Sequence, residues 1–344
     1  MSTLASDIIS TARGRQLLAD ALVWDNHGCM PLRPEDDRFL PQLQRYRQSG
    51  VNVVTLNVGF DGVPWQTNFA MLEAFRAWIK ARPAEYLQIE TVADIERARH
   101  SDRLGIAFDI EGGSALDSDL SRVETYYRLG VRWMLIAYNQ DNALGGGCQD
   151  ADRGLTEFGR QVLAEMERVG MVVCCSHTGA RTSLEVLERA TRPVIFSHSN
   201  PLGVWQHKRN ISDAQIQACA RTGGVVGING IGAFLGKNDT STETFVRHID
   251  YVVQLVGPAH VGLALDYVFD SQELDDFLNA NPHLFPPEEG YSGSIDMVEP
   301  ERIPRIVDAL LALGYSDEHL QMILGGNHLR VAQQVWKTSL PAPL

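Results

Sequence analysis

MVVCCSHTGARTSLEVLERATRPVIFSHSNP, Met171 to Pro201, is the stretch from which the rest of the chain can be read. It holds two short apolar runs, MVVCC and PVIF, each ending in Ser-His, and the segment between them, Ala180 to Arg192, has apolar residues at helical spacing. The pattern predicts strand, helix, strand, with His177 and His198 at equivalent carboxyl ends. In a parallel α/β sheet those ends are where loops gather side chains from several strands into one mouth. A single Ser-His at a strand end reads as a capping or hydrogen-bonded histidine. Two at matched positions read as candidate metal ligands.

The same alternation extends in both directions. Thr3 to Asp20 reads as a helix, Ala21 to Gly28 as a buried strand, Pro41 to Ser49 as a helix closed by Gly50, and Val51 to Phe60 as a second strand. Amphipathic helices are expected over Trp65 to Lys80 and Val92 to His100, and strands over Leu104 to Gly113 and Val131 to Asn139. After the glycine-rich loop Gly145 to Gly147, a helix from Thr156 to Val169 leads into the two Ser-His strands. Gly223 to Gly232 and His260 to Phe269 complete eight strands, the number in a (β/α)8 TIM barrel. The proline- and acid-rich piece Asp270 to Pro304 reads as a lid or loop over the mouth. Helices at Ile303 to Leu313 and Ser316 to Lys337 should pack back on the barrel, and no second domain is visible, so residues 1–344 are expected to form one domain.

Composition excludes several function classes. A chain of 344 residues, 44% hydrophobic and 21% charged, is long enough to bury a large core. Its net charge of -13 makes a nucleic-acid backbone or an anionic membrane an unfavourable partner. Five scattered cysteines without a CxxC pair argue against a disulfide framework and a cysteine-built structural zinc site, and point to a reducing compartment. The first residues lack an apolar core of signal-peptide length, no run reaches the roughly 18 apolar residues of a membrane span, and the terminal SLPAPL is too short for a lipid-anchor signal. A cytoplasmic protein is expected.

If the barrel forms, its mouth collects Asp25, His27 and Cys29 from the first strand, Asp109 and Glu111 from the third, Tyr138 and Asn139 from the fourth, then His177, His198 and Asp266. Three histidines, a glutamate and an aspartate are the ligand types of a zinc hydrolase. Asp25 and Asp109 read better as loop-orienting carboxylates and Asn139 as structural, while Glu111, before Gly112 and Gly113, reads equally well as a turn carboxylate.

These stretches, together with WDNHGCMPL (Trp24 to Leu32), FDIEGG (Phe108 to Gly113), GVRWMLIAYNQDN (Gly130 to Asn142), KRNISD (Lys208 to Asp213), LALDYVF (Leu263 to Phe269) and ILGGNHLRV (Ile323 to Val331), resemble the renal or membrane dipeptidases, peptidase family M19 of the amidohydrolase superfamily. The resemblance covers almost the whole chain. It implies a metallo-dipeptidase that cleaves a small amide through a metal-activated water, with Zn2+ as cofactor and a dipeptide as substrate. Glu111 matches the glutamate that bridges two ions; His27, His177 and His198 match ligands; Arg209 matches the arginine that grips the substrate carboxylate; and Asp266 matches the aspartate that shuttles the proton. Tyr138 and Asn142 are expected to contact substrate beside Arg209.

Two positions depart from the family pattern. His27-Gly28-Cys29 stands where the family has His-x-Asp, which makes Cys29 a candidate softer ligand, and Ala137-Tyr138-Asn139 stands where the family has Thr-His-Asn, which makes Tyr138 the candidate donor to the oxyanion. One ion held tightly by Glu111, His177 and His198 is therefore expected, with any second ion weaker on the His27 side. The alternative is an amidohydrolase acting on another amide or ester, or a metal-binding homologue without turnover. A homodimer is the assembly left open.

Overall fold

The computed structural model describes residues 10–291 and 293–338. Ten strands follow in chain order: β1 (Trp24–Cys29), β2 (Val53–Phe60), β3 (Tyr86–Gln88), β4 (Leu104–Glu111), β5 (Val131–Leu135), β6 (Val172–Cys174), β7 (Val194–Ile195), β8 (Val226–Asn229), β9 (Val261–Ala264) and β10 (Tyr267–Val268). Eight of them form a parallel sheet in the order β7-β6-β5-β4-β2-β1-β9-β8, while β3 adds to β4 and β10 to β1. A parallel bridge between Phe196 and Val226 closes β7 onto β8. There Phe196 N–H donates to the Val225 carbonyl at 3.0 Å, and Gly227 N–H donates to the Phe196 carbonyl at 2.8 Å. The result is the expected (β/α)8 barrel.

The strands are continuous apolar runs because both of their faces are covered. Val53, Val54, Leu56 and Val58 of β2, and Ile106, Phe108 and Ile110 of β4, are all buried. Several are shorter than the sequence patterns because the chain leaves the ladder before the polar residues are reached. β5 stops at Leu135, and Asn139 turns with a left-handed φ of 59°. The helix at Trp65–Lys80 keeps its expected bounds; those at Val92–Arg99, Glu157–Val169 and Ala180–Arg189 end or begin within a turn of expectation. The helices Ser121–Arg128, Asp213–Arg221 and Thr242–Val256 were not anticipated, although the Ser212 and Gln215 capping box of the second was present in the sequence.

The N-terminal helix begins at Ala12, capped by Thr11, and the earlier part of its expected range lies outside the described residues, as does the terminal SLPAPL. The expected final helix, Ser316 to Lys337, is broken into Asp317–Gln321 and Asn327–Val335 by a π-helical turn at Met322–Gly326. The break fits the barrel: a Cβ on Gly325 would stand 2.6 Å from the Leu22 carbonyl, so glycine lets this turn lie against the chain entering β1.

After β10 the chain forms the helix Ser271–Ala280 and an irregular return that ends in an antiparallel bridge between Met297 and Ile231. This excursion covers the mouth as a lid. Its Leu278, Phe285, Tyr291 and Ile295 form one apolar cluster with Ile231, Ala233 and Phe234 from beyond β8. No helix among the described residues is long and apolar enough to cross a membrane.

Candidate metal centre

The carboxyl ends of β1, β4, β6, β7 and β9 bring six donor groups together. Glu111 Oε1 lies 3.5 Å from His27 Nε2, 3.3 Å from His177 Nε2 and 3.1 Å from His198 Nε2, and the two latter nitrogens are 2.9 Å apart. On the β1 side, Asp266 Oδ1 is 3.4 Å from His27 Nε2 and 3.5 Å from Cys29 Sγ, which is itself 3.5 Å from His27 Nε2. Two sets of donors thus have the spacing of metal sites, His27 with Glu111 and His198, and His27 with Cys29 and Asp266. His27 belongs to both. Asp266, which the family resemblance matches to the proton carrier, lies among the donors of the second set.

Each donor is aimed by a second residue. His27 Nδ1 is 3.1 Å from Asp109 Oδ2, and Asn57 Nδ2 donates to Asp109 Oδ1 at 3.0 Å. His177 Nδ1 is 2.7 Å from Asn139 Oδ1, and His198 Nδ1 is 2.8 Å from Ser197 Oγ. Asn229 Nδ2 donates to Asp266 Oδ2 at 2.7 Å, leaving Oδ1 toward the site. Ligand histidines in metalloproteins are fixed in this way, through the ring nitrogen that does not face the metal. Asp109 is therefore not a free loop carboxylate. Asp25 is the loop organiser expected, accepting from Leu265 N–H at 2.8 Å.

The backbone is bent to make these approaches. His177, Asp266 and Asn139 hold φ of 60°, 57° and 59°, a region that non-glycine residues enter at a cost of order 1–2 kcal/mol. Asp61, just past β2, was not singled out from the sequence. Its carboxylate accepts from Ser114 N–H at 2.8 Å, Tyr138 N–H at 3.2 Å and Asn142 Nδ2 at 2.8 Å, tying the ends of β2, β4 and β5 together. Gly112, at φ 137°, makes room for it, since a Cβ there would overlap that carboxylate.

Burial sets the protonation of the cluster. It pushes the Glu111 carboxyl up to about 8 and holds His177 and His198 well below the ordinary imidazole range, helped by the positive charges nearby. For His27 burial acts downward, but Asp109, Cys29 and Glu111 outweigh it and the ring is held well above that range. Burial also raises the Cys29 thiol. With Nδ1 of His177 donating to Asn139, its Nε2 presents a lone pair toward His198 Nε2 and Glu111 Oε1, a buried oxygen that accepts no hydrogen bond. Donors packed this closely, with burial keeping His177 and His198 neutral while Glu111 and His27 keep their protons, are what a bound cation reorganises by displacing those protons.

Above the cluster lies a cavity of about 290 Å³. Cys29, Asn57, Glu111, Asn139, His177 and Asp266 line its polar side. Tyr138 also lines it, stacked on His177 at 4.0 Å between centroids. Arg209 is buried 5.1 Å from the ring of the lining residue Phe234 and does not itself line the cavity; its Nη2 donates to the His198 carbonyl at 3.3 Å while Nε and Nη1 have no partner. Asn142, expected among the substrate contacts, is held within its own loop. Its amide donates to Asp61 and the Ile136 carbonyl and accepts from Leu144 and Gly145, so it is spent on the loop and does not line the cavity.

Known proteins resemble this chain in sequence and in fold. The family model for membrane dipeptidase (peptidase family M19) matches residues 64–284, more than half of the chain, although His27 and Cys29 precede the matched segment. An uncharacterized protein in the pqqA 5′ region of Klebsiella pneumoniae is 31% identical over 259 residues, covering 72% of this chain and 88% of that protein. An uncharacterized dipeptidase of Schizosaccharomyces pombe is 34% identical over 179 residues, which span 49% of this chain and 42% of that one. Among solved structures, an amidohydrolase from Pseudomonas aeruginosa superposes with a TM-score of 0.84 at 27% identity, over 94% of this chain and 99% of that one. A metallopeptidase from Rhodobacter sphaeroides, liganded with a phosphinate mimic of the dipeptide L-Ala-D-Ala, shares the fold with a TM-score of 0.76 at 19% identity, over 92% of this chain and 99% of that one. The chain belongs to the membrane dipeptidase family, peptidase family M19.

Proposed function

We propose that this hydrolase of the dipeptidase type uses zinc to cleave dipeptides that carry a free carboxylate. The observation that supports the reading is the convergence of three histidine Nε2 atoms on Glu111 Oε1, with Cys29 and Asp266 beside the first of them. Nitrogen, carboxylate and thiolate donors are a set that zinc accepts. Glu111, His177 and His198 would hold one ion, and His27 and Cys29 a weaker second beside Asp266. When bound, zinc lowers the pKa of its water to about 7 and polarises the scissile carbonyl.

The chain supplies the rest. Asp266, anchored through Oδ2 by Asn229, has Oδ1 available to take the proton of the attacking water and deliver it to the departing amine. Burial, with Glu111 and Asp266 adding to it, keeps the Tyr138 hydroxyl protonated, so it can donate to the developing oxyanion. Arg209 keeps buried donors without partners, and a guanidinium cation suits a carboxylate. All five cysteines are free thiols, which supports placing the enzyme in a reducing cytoplasm.

The test is an assay of metal-stripped protein with and without added Zn2+ on L,L and L,D dipeptides beside N-acyl amino acids. Zinc-dependent cleavage of dipeptides is the expected result. Turnover confined to N-acyl amino acids or esters would transfer the proposal to another amidohydrolase activity.

A further inference from the structure

We infer that the dipeptides this enzyme prefers carry a large apolar side chain on their amino-terminal residue. The inference rests on the dipeptidase reading and adds the substrate's chemical class.

The cavity has two chemically different sides. Against the donor cluster it is polar; away from the cluster its wall is built by Leu32, Val63, Leu274, Phe277, Phe285 and Ile295. Glu273 is the carboxylate on the lid side of this lining, and its charge is already spent, 2.7 Å from Arg33 Nη1. A charged side chain placed there would lose its water and find no partner, whereas an apolar one gains by leaving water.

The barrel's geometry gives the substrate a direction. Arg209 follows β7, and β2 lies four strands from β7 either way around the closed barrel, through β6, β5 and β4 or through β8, β9 and β1. Phe60 and Val63, at and just past the end of β2, therefore stand across the mouth from Arg209. Phe60 meets the lid's Phe277 edge to face at 5.6 Å between centroids, joining that wall to the roof. A dipeptide whose carboxylate is held by Arg209 and whose scissile bond lies over the donors points its amino-terminal residue at Phe60, Val63, Leu274 and Phe277.

The roof is a fixed part of the pocket because the lid is tied down at both ends. At its start Arg33, in the loop after β1, pairs with Asp270 at 2.9 Å as well as with Glu273. At its far end Glu289 pairs with Lys208 at 2.5 Å and its carbonyl accepts from His207 Nε2 at 2.7 Å. An apolar side chain under the roof then meets preformed walls, and recognition needs no new ordering of the lid.

The experiment compares kcat/KM of the zinc-loaded full chain on Xaa-Ala dipeptides, in L,L and L,D forms, with Xaa running through Gly, Ala, Leu, Phe, Lys and Asp. Leu and Phe should exceed Gly by about tenfold or more, with Lys and Asp lowest. The matching Ala-Xaa series should spread less. In Leu274→Asn, checked for native secondary structure, the Phe-to-Gly ratio should fall by about threefold or more. A flat or reversed order on the wild-type protein, or a wider spread in the Ala-Xaa series, overturns the inference while leaving the dipeptidase reading in place. Cleavage of none of these dipeptides with zinc overturns the dipeptidase reading itself.

Discussion

The Nδ1 atom of His177 lies 2.7 Å from Oδ1 of Asn139, and both residues hold left-handed backbone, at φ 60° and 59°. Two strained turns are thus locked face to face by one hydrogen bond, and that bond fixes which nitrogen of His177 is free to bind a cation.

Asn139→Gly separates these roles, because glycine accepts the left-handed backbone without penalty while removing the acceptor. Metal affinity, measured by competition with a chromogenic chelator, should fall about 10–100-fold, while the melting temperature changes little. Unchanged affinity would remove Asn139 as the residue that aims His177.

Arg209 has two buried donors without partners, an arrangement that costs stability in the free enzyme. Arg209→Met keeps an apolar side chain in place while removing the guanidinium that lies 5.1 Å from the Phe234 ring. This variant should be at least as stable as the parent and bind zinc normally. Its kcat/KM on dipeptides should drop by an amount equivalent to about 2–4 kcal/mol. Kinetics equal to the parent's would take Arg209 out of substrate recognition.

Cys29 and Asp266 sit 3.5 Å apart beside His27. Burial keeps the thiol protonated in the absence of an ion, so a ligating Cys29 must release a proton when zinc binds. Proton release on zinc addition should therefore be larger for the parent than for Cys29→Asp, and the aspartate variant should hold a second zinc through a harder ligand set. Alkylation of Cys29 at the same rate with and without zinc, together with no gain in metal content in the variant, would argue that it is not a ligand.

His207 reads out the lid. Its Nδ1 accepts from Arg209 N–H at 3.0 Å and its Nε2 donates to the Glu289 carbonyl at 2.7 Å, a pair of bonds that only the neutral ring can make together. Burial, reinforced by Arg209 and Lys208 against the opposing charge of Glu289, holds its pKa below the ordinary 6.5. A lowered histidine pKa means that the unfolded or lid-open state binds the proton more readily, so this contribution is complete above 6.5 and is lost as pH falls from there toward the folded value. Hydrogen exchange over residues 283–291 should accelerate below pH 6.5, and His207→Gln should show the fast exchange at neutral pH. A profile for this segment that is flat in pH would rule out the histidine as its clasp.

Much of the barrel was legible because its strands are apolar runs of β-branched and bulky residues that stop at polar ends, and MVVCCSH and PVIFSH repeat that signature within one βαβ unit. Strand lengths were not legible. Residues 137–139 look like strand, yet leave the ladder as Asn139 turns back to meet His177. The ligand types of the site could be read from strand ends, but its supports could not. Asp61 and Asn142 are a carboxylate and an amide in loops, and only the fold brings them within 2.8 Å and makes both structural. Asp109 presents two faces, one to Asn57 and one to His27, and spacing along the chain carries no trace of either.

The seam that closes the barrel is a bridge at Phe196 and Val226, two residues before His198. Any fluctuation that parts β7 from β8 therefore carries His198 away from Glu111 and His27, and any ion that joins those three groups opposes the parting. Completion of the ring of strands and occupancy of the donor cluster become one linked equilibrium, so removing metal should loosen the sheet first along a single line, and protection from solvent at residues 225–227 becomes a gauge of how full the centre is.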